Sequence, residues 1–176
     1  MSFRVRFILI LFAWAPLSLG QSNVCDLLPS QAILTLQQKF PDWRPKNLAD
    51  LDGYDKKLWL EMHPKACPGI AVGHFEQSDH LAYAILLVPK RRAMSGYKVI
   101  VLSGQSDKFL VRLLDHANGS DSGLIISKEP HGTYSNFGDS QLVHRKLDAV
   151  NVEWLEKSSV LYYWSHGGYL SMPTSD

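Results

Sequence analysis

The sequence predicts an α+β domain in which N-terminal helices pack on an antiparallel β-sheet closed by a C-terminal hairpin. Three observations lead there. Two segments with helical spacing, cap residues and stop residues lie between positions 30 and 64. From Gly69 onward the texture changes to short runs of β-branched and aromatic residues separated by Gly, Pro, Asn and Asp. Helices do not alternate with those runs, the one candidate being the stretch "VNVEWLEK", so the pattern favours an antiparallel over a parallel sheet.

The first twenty residues, "MSFRVRFILILFAWAPLSLG", place Arg4 and Arg6 ahead of an apolar core from Phe7 to Leu17, with Ser18 and Gly20 at the minus-three and minus-one positions of a cleavage site. That is the pattern of a secretory signal peptide. The apolar run is broken by Pro16 and falls short of the roughly 20 residues that span a bilayer. Residues 1–20 are therefore expected to be removed, leaving a single domain over 21–176 that starts at Gln21, is secreted or periplasmic, and has no membrane span. Without Arg4 and Arg6, 16 of the 18 basic residues face 17 acidic ones, a charge of −1 with histidines neutral. This near-neutral balance, with "PKRR" (Pro89 to Arg92) as the only dense basic run, argues against a nucleic-acid partner.

Cys25 and Cys67 are the only cysteines. In an exported chain they are expected to form a structural disulfide, closing a loop that the chain-entropy model makes worth roughly 4 kcal/mol. A redox role would call for C-x-x-C spacing, which is absent.

The first helix is expected over "SQAILTLQQKF", with Ser30 as N-cap, Ile33, Leu36 and Phe40 on one face, and Pro41 as stop. "DWRPKNLADL" is punctuated by proline and reads as extended. The second helix begins at Asp52, sets Tyr54, Leu58 and Met62 on one face and closes before Pro64. Strands are expected near residues 70–75, 81–88, 97–102, 109–114, 124–127, 142–147, 160–165 and 169–172. The last two form the closing hairpin, with "HGG" supplying residues that tolerate positive φ.

Catalytic motifs fail on spacing. "GDSQL" (Gly138 to Leu142) shares three residues with hydrolase nucleophile blocks, but Gln141 and Leu142 follow Ser140 where one group needs a Gly-Gly pair, and no late D-x-x-H supplies a base for the other. "NGSDSG" has aspartate where a nucleophile elbow needs serine, and no P-loop, G-x-G-x-x-G or H-E-x-x-H occurs. Asn118 in "NGS" fits the N-glycosylation acceptor pattern, with a polar loop as the simpler reading. The tryptophans and tyrosines are read as core residues of half-buried strands.

One stretch comes nearest to a chemical signature. In "GIAVGHFEQSDHLAYAILL", an apolar strand ends in Gly73, Phe75 follows one residue on, and Tyr83-Ala84 enters a second strand after a short polar loop. This cadence resembles a degenerate FG-GAP-type loop, G-D-F-x-G-D-G-x-x-D-y-A, whose acidic residues commonly hold calcium. The chain is also similar to exported bacterial hypothetical proteins marked here by Cys67-Pro68-Gly69, Tyr162-Tyr163-Trp164 and Thr174-Ser175-Asp176. That resemblance implies no known activity.

Against the loop pattern, His74, Glu76, Ser78 and Ala82 stand at the expected acidic positions. Calcium needs six to eight oxygens, so its site is expected to be lost. His74 and Glu76, two apart on a strand, would share a face that His80 could reach across the hairpin, which makes the three a candidate zinc set. An ordinary solvated connection is the expected state of the loop. No catalytic residue, cofactor or metal is assigned. The function expected is non-enzymatic binding of an unidentified protein or surface ligand outside the cytoplasm, with a hydrolase or metal-dependent enzyme using His74, Glu76 and His80 as the alternative.

Overall fold

The computed structural model describes residues 25–91, 93–104, 108–138 and 142–175. The expected leader, the expected start at Gln21, Ser140 of "GDSQL" and Asp176 lie outside them. The described chain is α+β and antiparallel. In order it forms α1 (Ser30–Lys39), β1 (Trp43–Pro45), α2 (Gly53–Met62), β2 (Ile70–Gly73), β3 (Ala82–Pro89), β4 (Tyr97–Ser103), β5 (Leu110–Ala117), β6 (Leu124–Glu129), β7 (Gly132–Ser135), β8 (Leu142–Arg145), β9 (Ala149–Trp154), β10 (Ser158–Ser165) and β11 (Gly168–Ser175).

Among the described residues there are, instead of one sheet, two larger sheets and a separate hairpin. The first runs β1-β3-β4-β5 with β2 also paired to β3, the second runs β11-β10-β9-β6, and β7 pairs only with β8. Alternation along the strands explains the stacking, since successive side chains point to opposite faces. In β3 and β4, Ala82, Ala84, Leu86, Val99 and Val101 point inward to meet Leu124, Ile126, Val150 and Val152 of the second sheet. Ile85, Leu87, Ile100 and Leu102 point outward, where Ala32 and Leu36 of α1 cover them. The second sheet's outer face is covered twice, by α2 through Trp59 against Ile125 and by the β7–β8 hairpin through Tyr134 and Val143 against Leu161 and Met172. The helices thus lie on different sheets, and the C-terminal hairpin β10–β11 is one edge of the second sheet.

Three local expectations change. "VNVEWLEK" is β9 followed by a turn with Glu156 at φ 58, because Val150 and Val152 are needed in the layer between the sheets while Ala149 faces outward. The α1 cap is Pro29 rather than Ser30, and its buried face is Ala32, Thr35 and Leu36, leaving Ile33 exposed. Asp52 does cap α2, accepting from the Tyr54 and Asp55 amides, but the buried residue is Trp59, while Tyr54 and Met62 stay exposed. Trp59 also donates its indole N–H to the Ala66 carbonyl at 3.1 Å, which satisfies its polar edge.

Cys67-Pro68-Gly69 is a structural joint at the start of β2. Cys67 is bonded to Cys25, the Pro68 carbonyl accepts the Ile126 amide of β6 at 2.9 Å, and Gly69 lies so close to Lys46 that a Cβ would stand 2.2 Å from its carbonyl oxygen. Lys46 itself is fully buried, its ammonium bound by the carbonyl and carboxylate of Asp121. No helix among the described residues is long and apolar enough to cross a membrane.

The layer between the sheets carries tyrosines whose hydroxyls resist ionisation. Burial, reinforced by the negative charge of Asp115, raises Tyr97 strongly and pushes Tyr162 up to about 12. Unfolded tyrosine releases its proton near pH 10, roughly. The folded state therefore keeps protons that the unfolded state loses, so stability present below that pH declines as pH rises toward Tyr162's value. In an alkaline titration, tyrosinate absorbance should lag behind that of the urea-unfolded chain and catch up only as near-UV dichroism collapses. Superimposable folded and unfolded curves would contradict this burial.

Candidate functional site

Residues 74–81 join β2 to β3, and their first residues are held from both sides. His74 donates its amide to Asp148 Oδ2 at 3.0 Å and accepts the Asp148 amide on its carbonyl at 3.2 Å. Phe75 is then driven, fully buried, into the core between the sheets. Its insertion determines where the next residue points.

The Glu76 side chain is only 10% exposed. Oε2 accepts the Ser103 hydroxyl at 2.9 Å, and Oε1 accepts the Arg112 Nε–H at 3.1 Å. A carboxylate withdrawn from water needs such charge-assisted partners to remain ionised at low cost. Ser103 ends β4 and Arg112 lies on β5, so the loop is tied to the first sheet. The guanidinium in turn stacks 4.6 Å from the ring centroid of Trp164 on β10, and Trp164 meets Tyr169 of β11 edge to face at 5.1 Å. The Tyr169 hydroxyl is buried beside this group. Its ionisation is pushed far up, first by burial and then by the charge and hydrogen-bonding of the neighbouring Glu76 carboxylate.

Above this group is a cavity of about 310 Å³, whose wall includes Glu76, Arg112, Ser103, His80, Leu81 and Leu110. Leu81 and Leu110 are about half exposed, 51% and 53%. At the wall, His80 Nδ1 meets Asp79 Oδ1 at 2.8 Å, and that hydrogen bond holds Asp79 below the ordinary carboxylate range.

The candidate zinc set is not assembled. His74 and Glu76 lie beyond the end of β2, so strand periodicity does not place them on one face. His74 directs Nδ1 to the His80 carbonyl at 3.2 Å, Glu76 turns to Ser103 and Arg112, and His80 turns to Asp79. Among the described residues no three of His, Cys, Asp and Glu converge on a point that could hold a metal. The loop is solvated over residues 77–79, as a connection is expected to be, whereas Phe75 and the Glu76 side chain before them are withdrawn from water. Asn118 lies exposed just after β5, its carbonyl accepting the Ser95 hydroxyl at 3.2 Å.

Sequence reasoning missed Ser103 and Arg112. One signal was present: Arg112 is the only charge in "FLVRLL", at a position of β5 whose side chain faces the second sheet. No family model, curated protein or solved structure matches the chain.

Truncating Glu76 leaves Ser103 and Arg112 without their acceptor. Glu76→Ala should lower the unfolding free energy by about 2 kcal/mol, between the values for exposed and fully buried pairs because Arg112 is partly exposed. His74→Ala, which keeps the backbone bonds to Asp148, should cost well under half as much. Urea denaturation measures both, and equal losses would show that the ion pair is not what holds the loop.

Proposed function

We propose that this chain is an exported, non-enzymatic binding protein that takes a protein or surface ligand outside the cytoplasm, and that the ligand enters the cavity at the β2–β3 loop. Export is supported by the basic-then-apolar pattern of residues 1–20, with cleavage before Gln21, and the Cys25–Cys67 bond suits an oxidising compartment. The likeness of the loop to an FG-GAP segment fits a binding loop that has exchanged an ion site for the Glu76–Arg112 pair.

The observation that carries the reading is the cavity itself. Its size falls at the low end of small-ligand sites, and it combines an ordered charged pair with two exposed leucines. A hydrolase or metal-dependent enzyme is the second reading, favoured by the Asp79–His80 contact on the same wall as Ser103. Against a relay, the Ser103 hydroxyl donates to Glu76.

A photo-crosslinking side chain at Leu110, with one at exposed Lys57 on α2 as control, tests the reading in the exported fraction of the native host. A discrete adduct at position 110 and none at 57 is expected. Equal labelling at both positions would remove the cavity from the function. Ester hydrolysis abolished by His80→Ala would put the enzyme reading first.

A further inference from the structure

We infer that the cavity is a carboxylate site: Arg112 receives an organic monocarboxylate end-on through Nη1 and Nη2, while an apolar part of the same ligand lies on Leu81 and Leu110. This rests on the binding reading above and names the chemistry of its ligand.

A guanidinium has five N–H donors in a fixed plane. In Arg112 the Nε–H is committed to Glu76, and the two terminal nitrogens make no hydrogen bond to a described residue. The side chain is 34% exposed and forms part of the cavity wall. Its plane is fixed on one side by the Trp164 ring and along its edge by Glu76. A terminal fork of this kind, held in orientation before the ligand arrives, matches the two oxygens of a carboxylate and loses little rotamer freedom on binding. Glu76 is a positioning residue here, acting through Nε.

Three features narrow the ligand class. A dianionic phosphate fits the same fork, but Glu76 already places one negative charge on Arg112, and repulsion scales with ligand charge, so a delocalised monoanion is favoured. Sugars are commonly held by stacking on an aromatic face, yet the described residues of the cavity wall include no aromatic one and Trp164 is covered by Arg112. Leu81, Ala82 and Leu110 line the cavity beside the charges, offering apolar surface to a short hydrocarbon group.

The test uses the full mature chain with acetate, hexanoate, hexanamide and inorganic phosphate as probes, read by calorimetry and by amide shifts in nitrogen–proton spectra. Hexanoate should bind saturably and shift amides of residues 76–82 and 110–112. Hexanamide, which loses the charge-matched bidentate contact, and phosphate, which carries more charge and no apolar part, should each bind at least about tenfold more weakly. Arg112→Lys, which keeps the charge but not the fork, should weaken hexanoate about tenfold or more. Leu110→Ala alters an exposed residue and is expected to fold; it should erase the advantage of hexanoate over acetate. Near-UV dichroism checks that both variants are native. Hexanamide binding as well as hexanoate, unchanged affinity in a native Arg112→Lys, or phosphate binding more tightly than hexanoate would each overturn the carboxylate assignment while leaving a cavity that binds. Absence of any cavity shift with all four probes also overturns it, and crosslinking at position 110 then decides separately whether the cavity binds anything.

Discussion

The carboxylate of Glu76 lies almost out of water with one oxygen on Ser103 and the other on Arg112, and the geometry of the β2–β3 end of the molecule depends on that arrangement. A charge in such a place is tolerable only when paired and hydrogen-bonded, so the loop, the end of β4 and the middle of β5 must hold their relative positions. Stacking of the same guanidinium on Trp164 extends the constraint to β10 of the second sheet. The cavity wall is therefore held by specific polar contacts, in contrast to the mainly apolar layer beneath it.

The opposite end of β2 is constrained by different physics. There the Cys25–Cys67 bond, the Pro68 carbonyl on the Ile126 amide and the approach of Gly69 to Lys46 bring the N-terminal segment, the first sheet and β6 to one point. Covalent and backbone contacts at one end, and an ion pair at the other, bracket a strand of only four residues. A short strand so anchored can carry a loop in a defined orientation, as binding sites require.

Much of this was legible in the sequence, for reasons that particular residues make plain. The break in texture at Gly69 and the Asp52 cap are local signals, the pairing of Cys25 with Cys67 follows from there being only two cysteines, and each corresponds to something in the fold. Two sheets were not legible from "AYAILLVP", because Ala84 and Leu86 face one layer while Ile85 and Leu87 face another. Both sets are apolar, so the run does not say what covers each side. The buried faces of the helices were misread for a related reason. Ala32, not Ile33, meets the sheet, and Trp59 displaces Tyr54 and Met62, since the partner surface selects the face. The Glu76–Arg112 pair spans 36 positions, a separation over which no periodicity carries information.

The ion pair can be observed directly in solution through the side-chain Nε–H resonance of Arg112. If Glu76 accepts that proton inside a water-poor loop, the resonance should be resolved, shifted downfield, slow to exchange with solvent, and lost from that position in Glu76→Gln. An Arg112 Nε–H that exchanges as fast as that of an exposed arginine, and is indifferent to Glu76→Gln, would contradict the arrangement on which the cavity rests.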